Sequence, residues 1–256
     1  MKPYYRAVGS EKEVFRHAHA NHLPLLVKGP TGCGKSRFVE AMAAELERSL
    51  VTVACNEETS AADLLGRWLI KGGETSWQDG PVTRAVRSGA ILYLDEVAEA
   101  REDVIVVLHP LSDHRRELHI DRTGESLAAP PGFMLVASYN PGYRRAFREL
   151  KASTRQRFVS LRFDYPTPEV ETEIVRTEAR VEAALARQLV AFANKVRTLA
   201  ELGLAETVST RLLVGAGLLC TSGLPARQAC QVAIVQPLTD DVDTARALQD
   251  IVDLSF

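Results

Sequence analysis

Cysteine is scarce in this 256-residue chain. Cys33, Cys55, Cys220 and Cys230 form no CxxC pair, and no histidine stands beside them at ligand spacing. Neither a zinc site nor a disulfide framework is expected, and the four read as reduced intracellular thiols. No run of about 18 apolar residues occurs, and the start, Met1-Lys2-Pro3-Tyr4-Tyr5-Arg6, has no apolar stretch. A spanning helix and a secretory leader are therefore not expected, and the expected location is cytoplasmic, with no membrane partner. Excess charge of one sign is lacking too: 31 Lys and Arg face 33 Asp and Glu, a net charge of −2. Without a global basic field, grip on nucleic-acid phosphates is not expected, although a local basic channel stays open. There is no internal repeat or low-complexity segment. His17, His19 and His22, at i, i+2 and i+5, do not share a helix face and read as solvated surface.

What is present is an ordinary globular composition, 46% hydrophobic and 25% charged, long enough to bury a core without staples. Leu23 to Lys28 reads as an apolar strand, followed by a Gly-rich loop and by helical spacing from Ser36 to Leu50. Leu50 to Cys55 reads as a second strand, and a helical segment follows near Ala61 to Leu69, broken at Gly72-Gly73. Ala90 to Leu94 and Phe133 to Tyr139 are near-continuous apolar runs, with a shorter candidate at Val159 to Phe163. Runs apolar on both faces suit interior strands of a parallel sheet, so the fold class is α/β, a parallel sheet flanked by helices. Beyond Pro166 and Pro168 the strand-like runs stop. Four helix-sized patterns follow, at 168–180, 182–202, 209–221 and 225–236, punctuated by Gly203 and Gly223. The expected domains are an α/β core over 1–165 and a small all-helical lid over 166–256.

Gly29-Pro30-Thr31-Gly32-Cys33-Gly34-Lys35-Ser36 is a complete GxxxxGK[ST] phosphate loop between a strand and a helix. Its glycines let backbone N–H groups turn inward on a β-phosphate at the helix's positive end. Lys35 can span the β- and γ-phosphates, and the Ser36 hydroxyl can ligate Mg²⁺. The cofactors expected on this reading are ATP and Mg²⁺. Ile91 to Leu94 then ends in Asp95-Glu96. Asp95, at the sheet's carboxyl edge, can hold Mg²⁺ through water, and Glu96 can orient or deprotonate an attacking water, which favours hydrolysis over transfer to an organic acceptor. Asn140, in Ser138-Tyr139-Asn140-Pro141, stands where it could bridge a γ-phosphate and the lytic water, and the alternative is a turn-forming Asn-Pro pair.

These three parts, in this order, resemble the AAA+ ATPases over nearly the whole chain. Gly29 to Glu40, Gly80 to Arg87, Ala137 to Tyr143 and Leu150 to Phe158 resemble the MoxR branch, and within it the group containing CbbQ, NorQ and GvpN, most nearly the CbbQ type. The resemblance implies a homo-hexameric ring that works with a von Willebrand factor A domain adaptor. For the CbbQ type it implies Rubisco activation by release of inhibitory sugar phosphates; nitric oxide reductase activation and gas-vesicle assembly are the alternatives. A nucleic-acid motor is a further alternative, but in the hairpin region Arg115, Arg116 and Arg122 are offset by Asp113, Glu117, Asp121 and Glu125. The resemblance also makes Arg157 the arginine finger that reaches a neighbouring subunit's γ-phosphate, with Arg155 as the alternative, and Arg211 the sensor 2 arginine. A surface salt bridge for the first two, and a helix-start arginine behind a Ser/Thr cap for the third, are the plainer readings. Residues 63–79 resemble the helix 2 insert of that branch. Residues 112–130, where Glu117 to Asp121 alternates and Arg122 to Glu125 turns, read as a β-hairpin before Asn140. Both insertions face a ring's pore or one of its surfaces on this reading, or else decorate a solvent face.

Overall fold

The computed structural model describes residues 3–141, 150–199 and 207–256. Gly142 and Tyr143, which close the third motif, and Gly203 lie outside the described residues. Two compact units are present, one of Met1–Gly29 with Lys35–Phe163 and the other of Pro30–Gly34 with Asp164–Phe256.

In the first unit, α1 (Glu11–Ala20) precedes β1 (Leu25–Lys28), α2 (Lys35–Glu45) and β2 (Leu50–Ala54). A one-turn α3 (Ala61–Leu65) leads into β3 (Gly66–Lys71) and β4 (Glu74–Asp79), then α4 (Pro81–Ser88), β5 (Ile91–Asp95) and α5 (Glu102–Val107). The unit is completed by β6 (Glu117–Ile120), β7 (Glu125–Ala128), β8 (Met134–Tyr139), α6 (Ala152–Arg155) and β9 (Val159–Arg162). Among the described residues five strands form one parallel sheet in the order β2-β5-β8-β1-β9. The three central strands are buried along almost their whole length, whereas the edge strands β2 and β9 alternate between covered and exposed residues. This is the burial that runs apolar on both faces require. Because β8 lies between β5 and β1, three carboxyl ends meet side by side, with Leu94 opposite Ala137 and Tyr139 opposite Lys28. Phe38 of α2 packs against Phe15 of α1 and Phe163, ring centroids 5.5 and 5.1 Å away. Burying a side chain of that size stabilises by about 1.5–3 kcal/mol. Leu64, Val82 and Val86 from α3 and α4 form a cluster with Leu92 and Leu135.

Where a helix is expected from 61 to 69, the helix stops at Leu65 and a β-hairpin follows. Ser60 and Asp63 form a capping box that starts α3. Gly66 ends it, with φ at 138° and so little room that a Cβ there would lie 2.4 Å from the Gln78 carbonyl oxygen. Trp68 pairs directly opposite Trp77, rings 5.5 Å apart and nearly perpendicular, a cross-strand contact that favours the hairpin over a continued helix. A second hairpin pairs β6 with β7 from Glu117 opposite Ala128 to Ile120 opposite Glu125. His19 is not a solvated histidine: its ring stands 3.3 Å from the Gly132 carbonyl, and burial holds its pKa down.

The second unit contains α7 (Pro168–Ala179), α8 (Ala183–Thr198), α9 (Thr210–Thr221), α10 (Ala226–Cys230), α11 (Gln236–Leu238) and α12 (Val242–Asp253). The single helical pattern at 225–236 is divided by a π turn over Gln231–Val235 just ahead of Pro237, which has no N–H to continue an α ladder. Val175, Leu189, Phe192, Ile234 and Leu248 anchor the core. Within that core Glu171 is wholly buried and receives Arg197 in a bidentate pair at 2.7 and 2.8 Å, with the Thr210 hydroxyl at 2.6 Å. The same guanidinium lies 4.2 Å over the Tyr165 ring, whose hydroxyl donates to the Thr31 carbonyl. No helix among the described residues is long and apolar enough to cross a membrane.

Candidate functional site

The carboxyl end of β1 passes into Gly29, and α2 begins at Lys35, so the loop's lysine is the first residue of a helix. Lys35 is 7% exposed, and its Nζ donates to the Gly29 carbonyl at 2.8 Å and to Asn140 Oδ1 at 2.6 Å. Both of these acceptors are uncharged oxygens, and they fix the ammonium at the strand end. Asn140, one residue beyond β8, therefore touches the loop and does more than turn the chain. Ser36, one residue into α2, sets its Oγ 3.2 Å from Asp95 Oδ2. Ser36 and Asp95, read as metal ligands, are thus brought together, a hydroxyl beside a carboxylate at one strand end.

Two residues that the sequence reading passed over complete this cluster. The Tyr93 hydroxyl donates to Asp95 Oδ1 at 2.7 Å and lies 3.2 Å from Ser36 Oγ. The Ser138 hydroxyl donates to the same Oδ1 at 2.5 Å and accepts the Glu96 backbone N–H at 3.2 Å. Tyr93 and Ser138 are both buried, and burial together with the nearby Asp95 charge pushes the phenol's pKa upward, which keeps it a donor. Each stands two residues before a polar strand end, Tyr93 before Asp95 and Ser138 before Asn140. That period-2 spacing was the available signal. Glu96 is exposed and sits at φ 55°, ψ 44°, a left-handed backbone unusual for a side-chain-bearing residue, so the carboxylate follows Asp95 around a sharp corner.

In the second unit Pro30, Thr31, Gly32, Cys33 and Gly34 continue the loop. Gly32 and Gly34 have φ of 69° and 100°. A Cβ on Gly32 would stand 2.6 Å from Ser209 Oγ and 3.2 Å from Arg211 Cβ. Only glycine fits there. Ser209 caps α9 by accepting the Leu212 N–H, and Arg211 is an exposed residue of its first turn. Arg157 and Arg155 belong to the first unit. Arg157 Nη1 pairs with Asp113 Oδ2 at 2.7 Å, while Arg155, partly exposed, ends α6.

Residues 24–158 match the AAA domain of the dynein-related subfamily, and residues 171–255 match the CbbQ/NirQ/NorQ C-terminal family. The chain is 55% identical to the denitrification regulatory protein NirQ of Stutzerimonas stutzeri, over 99% of its own length and 92% of that protein's. Identity is 56% to the protein CbbQ of Hydrogenophilus thermoluteolus (97% and 93% covered) and 57% to the protein NorQ of Paracoccus denitrificans (97% and 92%). These similar values do not single out the CbbQ type. In fold, the chain is similar to a mutant of Thermotoga maritima RuvB, TM-score 0.56 at 17% identity, with 96% of this chain and 71% of that one covered. From the matched families and the near full-length relatives, the chain belongs to the CbbQ/NirQ/NorQ family of MoxR-type AAA+ ATPases.

Proposed function

We propose that the protein is a Mg²⁺-dependent ATPase that works as a cytoplasmic homo-hexameric ring and, with a von Willebrand factor A domain adaptor, remodels a partner protein. The observation that carries the reading is the meeting of Lys35, Ser36, Asp95 and Asn140 at three adjacent strand ends. Open parallel sheets place ligands at such ends. In this reading backbone N–H groups of the glycine-rich loop receive the phosphates, and the Lys35 ammonium reaches them. Ser36 and Asp95 fit a hydrated divalent cation, being a hydroxyl and a carboxylate already in contact. Bound with the nucleotide, Mg²⁺ would neutralise charge on the phosphate oxygens.

Glu96 takes a proton from the attacking water, and Asn140 orders the groups around it while holding Lys35. Arg157, with Arg155 as the second candidate, is delivered to a neighbouring copy's nucleotide, where a guanidinium fork stabilises charge on the transferred phosphoryl group. Arg211 sits beside Gly32 within the second unit and reports the nucleotide's state to the helices. The partner protein is Rubisco or the nitric oxide reductase complex. Relatives named CbbQ, NorQ and NirQ are about equally similar to this chain, so pull-down from the native cell decides between them.

Glu96→Gln is expected to bind ATP with little loss while phosphate release falls about 10²–10⁴-fold. Arg157→Ala is expected to lose turnover and keep nucleotide affinity, and mixing it with Lys35→Ala should restore part of the activity, because each variant supplies what the other lacks. Normal turnover by Glu96→Gln, or a fully active species at the mass of one 28.1 kDa chain, would overturn the reading.

A further inference from the structure

Arg157 is held in a manner that its proposed delivery to a neighbour does not by itself explain. Its Nη1 donates to Asp113 Oδ2 at 2.7 Å, and its buried Nε has no hydrogen-bond partner among the described residues. A buried N–H left unpaired is costly, so this guanidinium is under-used among the described residues. Asp113, by contrast, is saturated. Arg115 donates Nε to Oδ1 at 3.0 Å and Nη2 to Oδ2 at 2.8 Å, and its backbone N–H reaches Oδ1 at 3.1 Å.

The charges follow from that arrangement. One carboxylate faces two guanidiniums, and Glu117 also acts on Arg115, so Asp113 does not have to neutralise Arg115 alone and can orient Arg157. His109, whose ring stands 3.3 Å from the Thr154 hydroxyl, has its pKa held down by burial and then by repulsion from Arg157. The carboxylate itself is kept ionised far below the usual range, chiefly by the Arg115 hydrogen bonds. The side chain of Asp113 is 18% exposed and that of Arg157 31%, so the pair lies at the rim of the unit and is not sealed in its core.

We propose that Asp113 is the positioning residue of Arg157: braced by Arg115, it fixes one edge of the guanidinium to the base of the β6–β7 hairpin and leaves the rest to a second copy's nucleotide. The inference rests on the reading of Arg157 as the group supplied between copies. Asp113 and Arg115 stand immediately ahead of β6, and the hairpin is closed below by Ala129 N–H donating to the Arg116 carbonyl. Displacement of the hairpin therefore moves the anchor of Arg157. Holding a charged group within a fraction of an ångström of its working place is what such supports contribute to catalysis.

The test uses the full chain with ATP and Mg²⁺ and compares Asp113→Ala, Asp113→Glu, Arg157→Ala and the Asp113→Ala/Arg157→Ala double variant. Asp113→Ala is expected to lower kcat about tenfold or more with KM for ATP within about twofold, and Asp113→Glu to recover part of the loss. The double variant should turn over no more slowly than Arg157→Ala alone, since the two act as one unit. In mixtures with Lys35→Ala, Asp113→Ala should support less turnover than the unaltered chain does. Unchanged kcat in Asp113→Ala beside inactive Arg157→Ala would overturn the positioning role alone. A further loss in the double variant, or a loss of kcat together with nucleotide affinity, would mark general damage and overturn it too. Full activity in Arg157→Ala would remove both this inference and the reading it rests on.

Discussion

Asp95 is oriented by its neighbours rather than by its own strand. A carboxylate at a strand end can rotate, and the hydroxyls of Tyr93 and Ser138, both on Oδ1, hold it so that Oδ2 is left toward Ser36. If Ser36 and Asp95 hold the cation as proposed, partners of this kind behind them are worth about 10–100-fold in metal affinity or activity. Ser138→Ala is therefore expected to raise the Mg²⁺ concentration needed for half-maximal turnover by that factor, and Tyr93→Phe to do so more weakly, since Ser138 still donates to Oδ1 there and also holds the Glu96 N–H. Mg²⁺ titration of phosphate release is the measurement, and an unmoved midpoint in Ser138→Ala counts against the role. Lys35, Ser36, Asp95 and Glu96 were legible beforehand because their spacing carries its own chemistry. Tyr93 and Ser138 were not, since a hydroxyl inside an apolar run reads as part of the strand until the neighbouring strand end is known.

Elements were readable where burial is two-sided. β1, β5 and β8 are apolar on both faces, and each lies within a run recognised as a strand. The β3–β4 hairpin was hidden because Ile70, 81% exposed, and Trp68, 49% exposed, are apolar residues facing solvent, and they mimic the covered face of a helix. The helical patterns read from the sequence end at 236, yet α12 has a clear start, with Asp241 accepting the Thr244 N–H. Among the helices of the second unit, the Glu171–Arg197 pair is the polar contact with most at stake. It is buried, and Arg197 also caps the Val208 carbonyl and stacks on Tyr165. Removing one partner strands the other's charge, a loss of about 3–5 kcal/mol. Arg197→Met is therefore expected to unfold the helical unit at distinctly lower urea, while Glu171→Leu/Arg197→Met loses less than Arg197→Met alone. Urea titration followed by helical circular dichroism gives both numbers, and equal midpoints for Arg197→Met and the unaltered chain would remove the pair from stability.

At the scale of the whole chain, two buried thiols set an alkaline limit on stability. Burial pushes Cys55 up to about 11, with Asp95 and Glu96 adding repulsion, and it pushes Cys230 up to about 12. Unfolded thiols ionise near 9, so both groups favour the folded chain at lower pH, and that contribution drains away as pH rises from 9 through the folded values. Tm is expected to fall between pH 9 and 11, and to fall less in Cys55→Ala/Cys230→Ala. Equal slopes for the two proteins would show that other groups govern the decline. The strand order has a different consequence, concerning synthesis. β1 leaves the ribosome early, but its partner β8 follows only about 110 residues later, and β5 is not a neighbour of β1 in the sheet. A nascent chain that already carries Lys35, Ser36 and Asp95 thus lacks the strand that joins β1 to β5 in the sheet. Until the strand ending at Tyr139 slides between its two predecessors, a ribosome-bound intermediate has every residue for gripping phosphate except the neighbour that aligns them.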